Sequence, residues 1–399
     1  MAMKNLPNIL VYLFIFLLPI QLGLHFFPSY AFIDGIRIDY LDPTLYLTDI
    51  IAVALIITNY KNIVLPKTKL SSVLIITLVI NVIFSLSPLV TIYKSIKYLE
   101  IFLLFLIFSK INLKPKRLLI IFLFSTTIQV VLVLAQFLTK RSLQNVFYFL
   151  GERYFSISTP GIAKIVINGV EFLRPYGSFS HPNSLAGFFL AIHVFVLWNN
   201  AYKNTPLLKN LTLAATAILV FMSFSKITIL LLAVAYVLYG FKNYKTCKIC
   251  SIGKAVSMII IAGLFLMFKG DPNTIQKRVL LMSHATQIFI NNPLEGIGIG
   301  NYVIAESNFP NPFSYVFIEP VHNIFLLYLT EAGLVLTFLT GVMIFPFLKR
   351  LWNNEVARNV MMVVVVTGLF DHYWLTLQQN LLLLPVLFGL LQRHERVVE

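Results

Sequence analysis

Cysteine is almost absent. Cys247 and Cys250 are the only two in 399 residues, and this single CxxC sits in a lysine-rich loop with no second CxxC or histidine pair nearby. A zinc site, which takes about four ligands, is therefore not expected. Charge is scarce as well. Asp, Glu, Lys and Arg together make up 12% of the chain, whereas soluble domains carry roughly 25%, so one or two ordinary soluble domains are excluded. What fills the chain instead is apolar: 58% of residues, gathered into long runs such as Ile9–Leu18, Leu70–Phe84 and Ala255–Phe268. A membrane span needs about 20 mostly apolar residues, and such segments recur along the chain to give about twelve candidates. The expected fold class is all-α: a polytopic integral membrane protein with about twelve transmembrane helices, residues 1–399 forming a single transmembrane domain.

Acid is scarcer than base, 16 Asp and Glu against 31 Lys and Arg, which leaves a net charge of +15. A basic excess can mark a nucleic-acid binder, but these cations form no basic domain. With the N-terminus placed inside, nineteen of them fall in inward segments, from Lys4 through Lys61, Lys67 and Lys69 to Lys242, Lys245, Lys248 and Lys254, and finally Arg393 and Arg396. That alternation follows the positive-inside rule and predicts cytoplasmic N- and C-termini. Three further absences narrow the reading. No small-x-small site closes the first apolar run, so an uncleaved first span is expected. No internal repeat is visible, which weighs against an inverted-repeat transporter. The glycines at 296, 298 and 300 lack GxGxxG spacing and follow no βαβ pattern, so a dinucleotide site is not expected.

Two outward loops break the otherwise short connections, about 139–183 and about 269–320. Loops this long are commonly functional, and both are rich in Tyr, Phe and Ile. Within the second, Ile275, Val279, Met282 and Ile288 recur at helical spacing and predict a helix lying on the outer face of the membrane.

Four segments at the outer side carry candidate chemistry. The first is Arg174-Pro175-Tyr176-Gly177-Ser178-Phe179-Ser180-His181-Pro182-Asn183. It is a turn-rich helix entry in which Asn183 or Ser184 can cap the helix and Arg174 can grip phosphate oxygens with its planar fork; His181 reads as a structural turn residue. The second combines Lys277 and Arg278 with Pro293-Leu294-Glu295-Gly296-Ile297-Gly298-Ile299-Gly300-Asn301-Tyr302. The third runs from Glu319 through His322 and Asn323 to Glu331. Histidine titrates near neutrality and can take a proton from a hydroxyl, whereas an acid at the depth of Glu331 should face protein or water rather than lipid. The fourth is Phe370-Asp371-His372-Tyr373-Trp374, where Asp371 could orient a cation or a histidine. Lys94, Lys97 and Glu100 share one helical face and predict a Lys97–Glu100 ion pair, with phosphate contact by Lys94 as the sharper alternative. Pooled, several cations and a histidine on one outer face can bind a diphosphate and stabilise the charge that develops as it leaves.

At these residues the chain resembles the O-antigen ligase and O-antigen polymerase superfamily of bacterial polysaccharide-assembly membrane proteins. The matching pieces are Arg174–Phe179 with His181-Pro182-Asn183, Pro293–Tyr302, and His322-Asn323 with Glu331-Ala332-Gly333. The resemblance spans roughly 170 to 380 and implies a helical fold like that of membrane-embedded glycosyltransferases. It implies a metal-independent enzyme of the bacterial cytoplasmic membrane with no cofactor and no nucleic-acid partner. That enzyme moves a glycan from undecaprenyl diphosphate to an acceptor hydroxyl on a lipid, glycan or protein, on the outward side. Carried over, Arg174 and Arg278 hold the diphosphate with Lys277 beside them, His322 activates the acceptor and Asp371 supports it. His181, Asn183, Asn301, Tyr302, Asn323 and Glu331 take supporting places. Where the family often has Ser-Arg this chain has Ser225-Lys226, so Lys226 keeps the charge and loses the fork. The rival reading is a transporter or flippase of lipid-linked sugars, which would share the donor and break no bond.

Overall fold

The computed structural model describes residues 6–63, 69–243, 247–270, 272–313 and 315–396. Lys4, Lys67 and Lys245, counted above among the inward cations, lie outside the described residues, as do the side chains of Lys69, Arg393 and Arg396. The chain is mostly helical. Its helices are α1 (Leu6–Leu17), α2 (Leu47–Thr58), α3 (Lys69–Ile83), α4 (Pro88–Phe108), α5 (Pro115–Thr139), α6 (Pro182–Trp198), α7 (Pro206–Met222) and α8 (Lys226–Asn243), followed by α9 (Lys248–Leu266), α10 (Thr274–Asn291), α11 (Tyr302–Glu306), α12 (Ile324–Asn353), α13 (Glu355–Gly368), α14 (Tyr373–Thr376) and α15 (Gln378–Arg396). Among the described residues four helices, α5, α8, α9 and α12, are long and apolar enough to cross a membrane, and five more apolar helices are shorter.

The first apolar run forms a helix that ends at Leu17, and short strands follow. The fold is mostly helical, as expected, with few strands. Three two-stranded antiparallel sheets decorate it: β1 (Gly23–His25) with β4 (Thr44–Tyr46), β2 (Phe32–Ile33) with β3 (Ile36–Arg37), and β5 (Lys164–Ile167) with β6 (Val170–Leu173). The β5–β6 pair turns at Asn168-Gly169, a strong short hairpin signal, and its second strand delivers Arg174.

Helix α6 sits at the centre, with every residue from Ser184 to Trp198 buried against neighbours that include α7, α8, α13 and α15. Lipid gives helices little hydrophobic reason to associate, so close approach through small residues matters more. Gly187 supplies it: a Cβ there would stand 2.2 Å from the Tyr373 hydroxyl. The missing side chain lets α14 seat against α6, which brings Asp371 beside the α6 entry. A buried ionic group ties α2, α4 and α15 together. The Asp49 carboxylate meets the Lys97 ammonium and the Gln378 amide, and Glu100 stands 3.7 Å from Lys97. The expected Lys97–Glu100 pair therefore exists only as the longer arm of a cluster centred on Asp49.

Helix α10 forms where the periodicity predicts a helix. Of its four expected apolar residues, Ile288 is buried together with Leu281, His284 and Ala285, and Ile275, Val279 and Met282 are exposed. Cys247 and Cys250 form a disulfide at the start of α9.

Candidate functional site

Arg174 leaves β6 into the turn 175–181, which two glutamines of α5 hold in place. Gln136 Oε1 accepts from the backbone N–H groups of Tyr176 (3.0 Å) and Gly177 (2.8 Å), and Gln129 Oε1 accepts from Ser178 N–H (3.1 Å). Both glutamines are fully buried. Their seven-residue spacing on one face of an apolar helix was the signal available in the sequence, and it was not used. The turn ends at His181, whose Nδ1 accepts from the Asn183 N–H at 3.1 Å and caps α6. The cap is thus His181, while Asn183 and Ser184 lie inside the helix. Burial pushes His181 down to about 4, so it is neutral and suited to accept.

The Arg174 guanidinium donates through Nε to the Ser223 carbonyl (2.9 Å) and through Nη2 to Asn183 Oδ1 (2.7 Å). Burial lowers its pKa to about 10, which leaves it charged. Asn183 then donates through Nδ2 to Asp371 Oδ2 at 2.8 Å. The other oxygen of Asp371 accepts from the His372 N–H at 2.8 Å and stands 3.6 Å from His322 Nδ1. On its far side His322 presents Nε2 to Glu319 Oε2 at 3.4 Å. Five side chains therefore run in one line, Arg174, Asn183, Asp371, His322 and Glu319, drawn from the 174 turn, the start of α6, the turn after α13 and the segment before α12.

The three imidazoles here differ in charge. Burial drives His372 down to about 4, as it does His181. Burial would lower His322 too, but contact with the negative charges of Asp371 and Glu319 outweighs it and raises His322 to about 9. Burial likewise works to raise Asp371, yet the His322 contact holds it well below the carboxylate range. At neutral pH the cluster is thus a carboxylate, imidazolium, carboxylate sandwich. His322, Asp371 and His372 bring one donor atom each within 4.8 Å of one another. These donors already serve neighbours: Asp371 accepts from Asn183 and His372, and His372 Nδ1 lies 2.7 Å from the Thr376 hydroxyl. The group reads as an ionic cluster.

The remaining candidates separate into three places. Arg278, half-buried on α10, has no hydrogen-bonded or ion-paired partner among the described residues, and its positive charge is felt at both Arg174 and His372. Lys277 next to it turns elsewhere, its ammonium 5.4 to 5.9 Å from the ring centres of Phe313, Tyr315 and Phe317. Lys226, the first residue of α8, is exposed and follows the turn that supplies the Ser223 carbonyl.

The third place is deeper in the bundle, where α12 breaks at Gly333 (φ 71, ψ 174). Residues 293–302 cross that break. The N–H of Leu334 donates to the Pro293 carbonyl (2.8 Å) and that of Gly298 to the Glu331 carbonyl (3.0 Å), while the Glu331 carboxylate accepts from Tyr302 N–H (3.2 Å). Non-helical backbone at membrane depth must find partners within the protein, and here the two segments satisfy each other. A Cβ on Gly333 would lie 2.3 Å from the Leu294 carbonyl, and one on Gly296 2.4 Å from the Glu331 carbonyl. Asn301 donates to Thr91 Oγ1 (2.7 Å) and the Tyr302 hydroxyl to the Leu281 carbonyl (2.9 Å). Asn323 caps α12, accepting from Phe325 and Leu326. The structure thus brings Arg174, His181, Asn183, His322 and Asp371 together. It puts Asn301, Tyr302 and Glu331 in a separate crossing, and it adds Glu319 and His372, which sit in the quoted segments without an assigned role.

No curated protein matches the chain. A family model described as O-antigen ligase matches residues 211–341, from α7 to the middle of α12, a stretch that contains Arg278, the 293–302 segment, His322 and Glu331 and leaves Arg174 and Asp371 outside it. Over those residues this membrane protein matches the O-antigen ligase family of glycosyl-transfer enzymes, and the resemblance read from its motifs to the O-antigen ligase and polymerase superfamily holds.

Proposed function

We propose that the protein is a surface-polysaccharide ligase or polymerase of the bacterial cytoplasmic membrane, with both termini inside and its site facing outward. It transfers a glycan from undecaprenyl diphosphate to an acceptor hydroxyl. The observation that carries this reading is the unbroken line from a buried guanidinium at Arg174 through Asn183 and Asp371 to His322. It couples a buried cation, able to bind phosphate, to an imidazole that serves as a base once it has given up its own proton.

In the reaction the hydroxyl oxygen forms a bond to the anomeric carbon while its proton moves to His322. The bond from that carbon to the diphosphate oxygen breaks, and its electron pair leaves with the diphosphate. Arg174 and Arg278 stabilise the charge that grows there, the kind of preorganised electrostatics that contributes most when water is excluded. Asp371 orients the imidazole and stabilises it once protonated. Lys277 and Lys226 lie at the margin of this arrangement.

The test is reconstitution of the full-length protein in liposomes with a polyprenyl-diphosphate-linked oligosaccharide and candidate acceptors. The native protein releases free polyprenyl diphosphate and builds product. His322→Ala, inserted at the same yield, loses about 10² to 10⁴ in rate, the usual worth of a positioned acid or base. Native-rate transfer by that variant would remove His322 from the mechanism, and movement of intact donor without bond cleavage would make the protein a transporter.

A further inference from the structure

His322 faces a conflict. As the base of the proposed reaction it needs one ring nitrogen free, yet both are covered. Nδ1 is fully buried beside Asp371 Oδ1 at 3.6 Å, without room for a substrate. Nε2 is met by Glu319 Oε2 at 3.4 Å, and the Glu319 side chain is 45% exposed. Exchange with an incoming group is thus possible only on the Nε2 side, and there only by moving Glu319. We infer that Glu319 occupies the acceptor-hydroxyl position on His322 Nε2 in the resting enzyme and is displaced by the acceptor, making it a positioning residue that sets when the base becomes available.

This rests on the transfer reading and deepens it. With Glu319 in place the imidazole lies between two carboxylates and keeps its proton. When the acceptor hydroxyl takes that place, one negative neighbour is lost and the imidazolium releases its Nε2 proton to solvent on the exposed side, so that Nε2 is free to accept the hydroxyl proton while Nδ1 keeps its hydrogen toward Asp371. The other charged and titratable groups around His322 do not substitute for Glu319. His372, whose ring centre is 5.2 Å away, and His181 are held neutral by burial, and Arg278 adds positive charge from α10. Asp371 is tied by Asn183 and the His372 N–H and stays on the Nδ1 side. Burial and the contact with His322 act in opposite senses on Glu319, and the contact prevails, holding its carboxyl below the ordinary range.

The experiment reads His322 without relying on turnover. Diethylpyrocarbonate acylates neutral imidazole, and peptide mass spectrometry resolves the labelling of each of the 7 histidines in full-length protein between pH 6 and 10. In the native protein His322 labelling rises with a midpoint near 9. In Glu319→Gln, which keeps the shape and removes the charge, the midpoint falls by about one pH unit or more, so labelling at pH 7 rises about tenfold. Glu319→Asp, one methylene shorter, falls in between, and the labelling of His181 and His372 stays unchanged as a check on folding. In the transfer assay Glu319→Gln shifts the acid limb of the pH profile to lower pH and lowers the KM for the acceptor with kcat little changed. An unmoved His322 midpoint in Glu319→Gln overturns the inference, as does a lower midpoint accompanied by a higher acceptor KM. Failure of the transferase reading has a different signature: a shifted midpoint in a protein that transfers no glycan.

Discussion

The side-chain line from Arg174 to Glu319 and the crossing at Gly333 are both built from polar segments and use them in opposite ways. Along the line, side chains face one another across four separate stretches of chain, and backbone serves mainly to hold them: Gln129 and Gln136 grip the 176–178 turn so that Arg174 and Asn183 converge on Asp371. At the crossing the bonding is mainly backbone to backbone, and the side chains of Asn81, Glu331 and Asn301 close it. The comparison separates two reasons for a polar group in a membrane protein. One is to present chemistry; the other is to let non-helical chain exist where no water can solvate it. It also predicts different sensitivities: added atoms should break the crossing, and lost bonds should break the side-chain line.

Gly333→Val carries the largest expected effect. The new Cβ would meet the Leu294 carbonyl at 2.3 Å, and a β-branched residue is strained at φ 71. Folded protein should fall below detection in a detergent-extraction and size-exclusion assay, a destabilisation above about 4 kcal/mol. Recovery of native-like yield would mean the two segments do not cross as described. Asn183 sharpens the other side. Asn183→Asp keeps an acceptor for Arg174 but puts a second carboxylate against Asp371 and removes the bond to it. The protein should remain folded, with kcat reduced about 10²-fold through misplacement of Asp371 and His322. A change confined to stability would move Asn183 from the side-chain line to the supporting scaffold.

How far the sequence could be read follows the same division. Apolar runs made the membrane class legible because the requirement is one of length and composition. The motifs at 174–183, 319–323 and 370–374 were visible as clusters of unusual residues, and the structure joins them. What was not legible is pairing between segments far apart in the chain. Nothing local indicates that Lys97 turns to Asp49 in α2 rather than only to Glu100 three residues on. Nor does it show that Gly187 is there for Tyr373, or that Glu331 serves the backbone of Tyr302. On α10 a helix with apolar residues on several sides presents no single stripe, and only the packing shows that Leu281 rather than Val279 is covered by protein. Glu319 was passed over because a half-exposed acid three residues before a histidine is unremarkable until both nitrogens of that histidine are seen to be occupied.

The smallest expected effect tests where the side-chain line stops. Lys226 is exposed at the first position of α8, the positive end of the helix dipole, where a cation is unfavourable by about 0.3–1 kcal/mol. Removing it should therefore stabilise slightly, and because the Arg174 guanidinium is held by the Ser223 carbonyl and by Asn183, the line itself stays intact. Lys226→Ala should leave kcat and the donor KM within about twofold and shift the thermal midpoint upward by a degree or two. A donor KM raised tenfold would show that the diphosphate reaches past Arg174 to the start of α8, so that the cationic part of the site extends beyond the side chains bonded to one another. Read beside Arg278→Ala, which should raise the donor KM tenfold or more, the pair distinguishes cations that face the network from those that only share its side of the molecule.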